Sequence, residues 1–251
     1  MKRLLIGVLL CSAVSCAPDV GEKAARSLQL ISDIRSGVMD LVVRIETSDA
    51  SASTGLTLEG AFMLPEEQGA LPEADLTYTQ NQGDDSTTAR FISNGEAMFV
   101  EVDGERTDLP PEQVETFRTT GDPEAASVFG TLDVSDWIPR PEIQEDGDLA
   151  TITGELDVVA ALNDIFEVGR RFGGVELPAL EGDEAERVEA AVRASTAEIT
   201  AGPDGLLRHL LVEIDLGVEE GDLRDALGPL AGAIFSVELS IDNVNEKIDV
   251  E

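Results

Sequence analysis

The stretch ARFISNGEAMFVEVDGERTDL, residues 89–109, decides the fold class. Apolar and polar side chains alternate over 87–93 and again over 97–102, which predicts two strands that each bury one face. An Asn-Gly dipeptide at 94–95 and an Asp-Gly dipeptide at 103–104 interrupt the alternation. Such dipeptides favour tight turns with positive φ between antiparallel neighbours. A parallel pair needs a far longer crossover, so the stretch predicts an antiparallel sheet.

The period of two recurs on both sides of this stretch. In VMDLVVRIET, residues 38–47, Met39, Leu41 and Val43 fall on one face of a predicted strand. Further strands are predicted at 56–64, 74–80, 149–156, 195–201, 207–216 and 234–241. Gly60 and Gly154 lie inside two of them, where glycine marks either a bend or the close approach of another segment. A milder alternative is that both glycines only let the sheet curve.

Helices are predicted where apolar residues recur every three or four positions. Asp157 is the predicted N-cap of a long helix that reaches Phe172, and a Pro-Pro dipeptide at 110–111 opens a short one. The predicted helices cover 22–35, 110–117, 123–129, 157–172, 184–193 and 222–227. Strands joined by short connections and interspersed with helices predict an α+β fold, a large curved antiparallel sheet with helices packed on one side.

The N-terminus, MKRLLIGVLLCSAVSCAPDV, has the layout of an export signal. Two basic residues precede a short apolar run that is too short to span a bilayer, and small residues follow. Residues 13–16, Ala-Val-Ser-Cys, resemble a bacterial lipobox, which predicts a signal peptide at 1–15 and an acylated Cys16 on a tether at 16–22. The motif departs from the usual box at Ala13, where leucine is common, and a plain secretory signal is the alternative. Cys11 would be removed with the signal.

The composition is strongly acidic, with a formal net charge of −34. A chain with this balance is not expected to bind nucleic acid, since that interaction needs a basic face. Anionic lipid headgroups would also repel it, so an acyl anchor through Cys16 would help to hold it at a membrane. We expect an extracytoplasmic protein on the bacterial cell membrane.

Residues with catalytic chemistry do not form a recognisable set. His209 is the only histidine and lies in a predicted strand, so a Ser-His site or a histidine-rich metal site is not expected. No phosphate-binding glycine loop or nucleophile elbow occurs. We therefore expect no enzymatic activity, no catalytic residues, no metal and no cofactor. Trp137, near Pro139 and Pro141, would either close the mouth of a cavity or fill the core.

Four segments together resemble the LolA/LolB-like lipoprotein carrier superfamily, and within it the actinobacterial LppX/LprG-type lipoproteins. The segment SGVMDLVVRIET resembles the first strand of that family, and FISNGEAMFVEVDGERTDLPPEQ resembles its strand-turn-strand unit. ATITGELDVVAALNDI resembles the later strand that leads into a long helix, and AEITAGPDGLLRHLLVEIDL resembles its paired late strands. The likeness extends over nearly all of the chain after the tether and implies a single LolA-like domain at 23–251.

The resemblance implies a half-barrel wrapped over helices, with a hydrophobic cavity that accepts acyl chains between the sheet and the helix at 158–172. The protein would then bind or carry lipid or another amphiphile as a ligand partner. The alternation of the strands and the apolar face of the helix select the candidate lining residues Leu41, Val43, Leu58, Phe62, Tyr78, Phe91, Phe99, Ile152, Leu162, Phe166 and Val237.

Two other functions remain open at this point. The first is a structural or interaction lipoprotein, or a sensor, whose core is filled by its own side chains. The second is a cell-surface hydrolase that relies on carboxylates alone, which would need two of them facing each other in a cleft.

Overall fold

The computed structural model describes residues 33–47, 53–65, 67, 69–83, 85–118, 134–173, 179–217, 232–248 and 250. The predicted signal peptide, Cys16, the tether, the predicted helices at 123–129 and 222–227 and nearly all of the one at 22–35 lie outside these ranges. Eleven strands form one antiparallel sheet in the order β6-β5-β4-β3-β2-β1-β11-β10-β9-β8-β7. The strands are β1 (Ser36–Glu46), β2 (Thr54–Met63), β3 (Glu73–Gln82), β4 (Asp85–Asn94), β5 (Met98–Val102), β6 (Glu105–Asp108), β7 (Glu142–Asp146), β8 (Leu149–Gly154), β9 (Val192–Ala201), β10 (Leu207–Leu216) and β11 (Ile234–Asp242).

The described helices are α1 (Pro111–Phe117), the single turn α2 (Val134–Trp137), α3 (Val158–Gly173) and α4 (Asp183–Ala191). Asp157 caps α3 as predicted, because its Oδ1 accepts a hydrogen bond of 3.0 Å from the N–H of Ala160. Within the described residues, no helix has both the length and the apolar composition that a membrane span requires. The structure confirms the α+β class and the large antiparallel half-barrel sheet.

The predicted tight turns join antiparallel strands. Asn94 and Gly95 connect β4 to β5, with a φ of +82° at Gly95 and a hydrogen bond of 2.9 Å from the Ala97 N–H to Asn94 Oδ1. Asp103 and Gly104 connect β5 to β6 with φ values of +54° and +80°. Positive φ at both Asp103 and Gly104 matches the right-handed twist of a hairpin, whereas in the connection from β4 to β5 the positive φ falls on Gly95.

The sheet has two edges, β6 and β7, and neither strand is predicted from the sequence. All four residues of β6 are exposed, and Ile143 is the one side chain of β7 that is not. A strand without a buried face carries no apolar alternation, so the period-two signal is missing. Both edges are rich in charged side chains, which discourages pairing with a further strand.

One face of the sheet, called here the inner face, carries Leu41, Ile199 and Leu210 and packs against the helices. The opposite, outer face carries polar side chains such as Asp40, Glu198 and Glu213. Pairing of β1 with β11 brings the first and last strands side by side, with Leu41 opposite Leu239. This pairing joins two strands that are far apart in the sequence, and it makes the inner face one continuous surface.

The turn after β11 holds the beginning of β1. Asn245, with a φ of +58°, accepts a hydrogen bond of 2.6 Å from the Arg35 N–H and donates one of 3.0 Å to the carbonyl of Asp33. The buried Ser36 hydroxyl donates a hydrogen bond of 2.8 Å to the carbonyl of Glu246. These bonds fix the point at which the chain enters the sheet.

Both interior glycines occupy positions that no other residue could fill without movement. Gly60 has a φ of +139°, and a Cβ there would lie 2.0 Å from the carbonyl oxygen of Asp75. A Cβ on Gly154 would lie 2.3 Å from Cγ2 of Ile138. Gly60 therefore marks the close approach of β3, and Gly154 marks the close approach of the segment after α2.

Candidate functional site

The candidate site is an apolar strip on the inner face of β1 to β4 and β11. Strand pairing places Leu58 between Leu41 and Tyr78, and Val43 between Leu56 and Val237. Each member of the strip keeps intermediate exposure, so the protein covers these side chains only in part. The strip consists of Leu41, Val43, Leu56, Leu58, Leu76, Tyr78, Phe91 and Val237.

The same face continues into a region that is fully covered. On the far side of Leu41 the row runs through Leu239, Leu210 and Ile199 to Ile152. Ile152 is 0% exposed, Leu210 1% and Ile199 2%. One apolar surface therefore has a packed half under the helices and a half-open strip beside it.

The packed half is filled by the N-terminal part of α3. Ala161 is 0% exposed, Leu162 4% and Val158 6%. Side chains with so little accessible surface are enclosed almost completely by neighbouring protein atoms. The cavity expected between the sheet and the helix at 158–172 is thus closed at this end of the helix, where the core is packed.

Trp137 is buried in this packed half and is hydrogen-bonded to α3. It is 1% exposed, and its indole Nε1–H donates a hydrogen bond of 2.9 Å to Asp164 Oδ2 on α3. The carbonyl of Trp137 accepts a bond of 2.7 Å from the N–H of Asp157, beside the N-terminus of the same helix. Of the two roles expected for Trp137, the structure gives it that of filling the core.

Most of the predicted lining residues share the inner face. Six of them belong to the half-open strip, and Phe62 lies beside it but is 5% exposed and belongs to the core. On the packed side, Ile152 and Leu162 fill the core, while Phe166 on α3 is partly buried against it. A lining role for each of these residues stays a prediction. Those on the inner face of the sheet are Leu41, Val43, Leu58, Phe62, Tyr78, Phe91, Ile152 and Val237.

Phe99 is the exception, because it lies on the outer face. The hairpin register pairs Phe91 with Val100 and pairs Phe99 with Ile92, so Phe91 and Phe99 point to opposite sides. The guanidinium carbon of Arg106 lies 3.7 Å above the Phe99 ring centroid, a cation–π contact at the exposed edge of the sheet. Val100 takes the inner-face position that was assigned to Phe99.

An aromatic pair marks the β3–β4 side of the strip. Tyr78 and Phe91 meet edge to face, with ring centroids 6.4 Å apart and an interplanar angle of 83°. Tyr78 also donates a hydrogen bond of 3.2 Å from its hydroxyl to Gln80 Oε1. The ring therefore contributes apolar surface to the strip while its hydroxyl reaches polar surroundings.

On β3 and β4 the strip changes from apolar to polar, whereas Leu56 on β2, opposite Gln80, keeps that level of the strip apolar. Along the strands the inner-face positions change from Leu76 and Tyr78 to Gln80 on β3, and from Phe91 to Thr87 on β4. Gln80 and Thr87 are opposite each other and are exposed. An elongated molecule with one polar end and one apolar end matches this gradient.

The residues that sequence reasoning left out of the site are Leu56, Leu76 and Val100. Leu56 and Leu76 follow the same alternation as the residues that were selected, and cross-strand register places them in the strip. Val100 could be assigned to this face only once the register of the β4–β5 hairpin was known.

His209, the one histidine of the chain, forms a contact within the sheet. His209 Nε2 lies 3.3 Å from Glu238 Oε1 on the neighbouring strand, a cross-strand pair on the outer face. No group of three or more His, Cys, Asp or Glu side chains in the described ranges is placed to hold a metal ion.

The turn between β9 and β10 holds a charged pair, Asp204 and Arg208, whose side chains are 2.8 Å apart. Burial raises the pKa of Asp204, but hydrogen bonds from Arg208 and from the Leu206 N–H, together with the charge of Arg208, outweigh it and leave the pKa lowered. This interaction stabilises a hairpin turn at a distance from the strip.

Comparison with known proteins gives a similarity at the level of structure. The chain matches no protein-family model, and no curated protein matches it. Its structure is similar to the crystal structure of LprF from Mycobacterium bovis, with 13% sequence identity and a TM-score of 0.45, over 92% of this chain and 94% of that chain. At this identity and TM-score the similarity gives no information about the ligand or the function of this chain.

Proposed function

We propose that the protein is exported, anchored to the bacterial cell membrane through an acylated Cys16, and binds lipid or another amphiphile against the apolar strip. The observation that carries this proposal is the unequal covering of one apolar surface. Ile152 and Leu239 lie beside the helices and are 0–3% exposed. Leu41, Leu58 and Tyr78 belong to the same cross-strand row but are only partly covered. A ligand would complete the burial that the helices begin.

The free energy available from such burial is substantial. Each methylene that leaves water contributes roughly 0.8 kcal/mol. An acyl chain with about a dozen buried carbons would therefore gain several kcal/mol even after the costs of immobilising it are subtracted. A continuous apolar surface on a sheet is the geometry that gives a chain contact along its length.

The polar end of the strip supports a ligand with a headgroup. Gln80 and Thr87 offer hydrogen-bond donors and acceptors where the apolar row ends, so a headgroup there would stay hydrated while the chain lies towards Leu76. We propose a binding or carrier function without catalysis, with no cofactor, no metal and no nucleic-acid partner. A net charge of −34 supports the proposed absence of a nucleic-acid partner, because phosphate backbones bind to basic surfaces.

Native mass spectrometry tests the proposal directly. Protein purified from its own host in mild detergent is analysed intact, and the lipids that it carries are extracted and identified. We expect added mass that corresponds to an amphiphile, and displacement of a fluorescent fatty acid by that amphiphile. A chain that carries no lipid and binds no fluorescent fatty acid would overturn the proposal.

A second candidate is an interaction or sensor lipoprotein with a filled core. The packing of Ala161, Leu162 and Ile152 favours it, since those side chains fill the space between the sheet and the N-terminal part of α3. The two functions differ in the role of the strip. A carrier needs the strip to be apolar and partly exposed. An interaction protein would bind its partners equally well if residues of the strip were replaced by polar ones.

A further inference from the structure

A groove lies beside the β5–β6 hairpin at the edge of the sheet. It has a volume of about 430 Å³ and is lined by Val100, Val102, Asp103, Glu105 and Thr107. Val102 is 42% exposed, which leaves a large apolar side chain in contact with solvent. Strand pairing places Val100 opposite Thr107 and Val102 opposite Glu105, so both pairs share the inner face.

The groove continues the apolar strip towards solvent. Val100 is the cross-strand partner of Phe91, and Phe91 is the partner of Leu76. A row of apolar side chains therefore runs from the middle of the inner face to the groove. An alkyl chain that lies along this row would bring one of its ends to the β5–β6 hairpin.

The charges at the groove are of one sign. Among the described residues that line it, two are carboxylates and none is a cation. Arg106 follows Glu105 in the chain, but strand alternation turns it to the outer face, where it stacks on Phe99. The tight turn with positive φ at Asp103 and Gly104 holds both carboxylates next to Val102.

We propose that this groove binds the headgroup of a cationic amphiphile whose alkyl chain lies along Val100, Phe91 and Leu76. The inference rests on the proposed function, because it takes the apolar strip as the site of the chain. It adds the charge of the ligand and a second position for a headgroup, distinct from the Gln80 end. An anionic headgroup at the same place would meet two carboxylates without a compensating cation.

Binding of three amphiphiles with the same alkyl length tests the charge preference. Dodecyltrimethylammonium, dodecyl maltoside and dodecanoate are titrated below their micellar concentrations against the full chain. Exposed ion pairs are weak and screened by salt, so we expect the cationic probe to bind about threefold tighter per carboxylate than the neutral one at low ionic strength. The preference should fall strongly at ~0.3 M salt.

Two double variants separate the groove from the overall charge of the protein. Asp103→Asn with Glu105→Gln should abolish the preference for the cationic probe and leave the affinity for the maltoside unchanged. Glu142→Gln with Asp146→Asn removes the same charge from β7, the opposite edge of the sheet, and should leave the preference intact. Asparagine tolerates the positive φ at position 103, and circular dichroism checks that both variants fold.

The outcomes distinguish the two proposals. If the maltoside does not bind the wild-type chain, the proposed function fails, and the headgroup site fails with it. If the maltoside binds but the cationic probe shows no preference, only the headgroup site is wrong. If both double variants lose the preference equally, it arises from the overall charge, and the groove assignment is likewise wrong.

Discussion

Truncation of two leucines on one row of the sheet would test whether the inner face has a packed half and a half-open half. Leu58, Leu41, Leu239 and Leu210 are successive cross-strand neighbours, so Leu58 and Leu210 belong to the same surface. Leu210 is 1% exposed, whereas Leu58 keeps intermediate exposure. The substitutions Leu58→Ala and Leu210→Ala remove the same atoms from these two environments.

The expected losses of stability differ severalfold. Leu210→Ala removes fully buried methyl groups and leaves a space, which costs about 2–5 kcal/mol of unfolding free energy. Leu58→Ala removes side-chain atoms that water already reaches in part, and we expect a cost of about 1 kcal/mol. Urea denaturation of the ligand-free chain measures both values.

For ligand affinity we expect the opposite order, with the larger loss in Leu58→Ala. An acyl chain on the strip would bury the remaining surface of Leu58, and losing roughly 1 kcal/mol of that contact weakens binding about fivefold. Leu210 is already covered, so Leu210→Ala should change the dissociation constant by less than about twofold under conditions where the variant is folded. Displacement of a fluorescent fatty acid measures the constants.

The result that refutes this reasoning is a pair of variants that behave alike. If Leu58→Ala destabilises the protein as much as Leu210→Ala and leaves binding unchanged, Leu58 is ordinary core and the strip is not a binding surface. If Leu210→Ala weakens binding as much as Leu58→Ala, the ligand lies under the helices instead.

Other predictions concern backbone, turn and anchor positions. Gly60→Ala should cost about 3 kcal/mol or more, because a Cβ would lie 2.0 Å from the Asp75 carbonyl, whereas Gly104→Ala, with nothing within 4 Å, should cost only about 1–2 kcal/mol; thermal unfolding compares them. Asn245→Ala should lower stability by about 1–3 kcal/mol, since it loses the bonds to residues 33–35 and strains a φ of +58°. Asn245→Gly loses the same hydrogen bonds but avoids the strain, so urea titration of both variants separates the two contributions, and equal losses would assign the whole effect to the hydrogen bonds. The lowered pKa of Asp204 stabilises the folded state above its ordinary value of 3.8, and this contribution is lost as the pH falls through the folded pKa; Asp204→Asn should remove that part of the acid dependence, and unchanged acid unfolding would contradict it. Cys16→Ser should release the chain from membranes into the soluble fraction, and a variant that stays membrane-bound at high salt would rule out the acyl anchor.

The sequence by itself determined the local features of the sheet. Alternation of apolar side chains predicts each strand that buries a face, and the Asn-Gly and Asp-Gly dipeptides predict the turns that make the pairing antiparallel. The glycines at 60 and 154 are also identified from the sequence as a bend or a close approach, and the structure shows a close approach at both. These features depend on residues only a few positions apart, so a single chain segment contains their physical cause.

Only the tertiary structure decided which residues form the candidate site. Phe91 and Phe99 have the same apolar character, but the register of their hairpin puts them on opposite faces, since a shift of one residue reverses every side chain. The edge strands β6 and β7 leave no periodic signal because they bury no face. Leu58 and Leu210 occupy equivalent positions in their strands, and the difference in their exposure comes from helices elsewhere in the chain. Contacts between distant segments, such as the pairing of Leu41 with Leu239, therefore set which part of an apolar surface is packed and which part stays partly exposed.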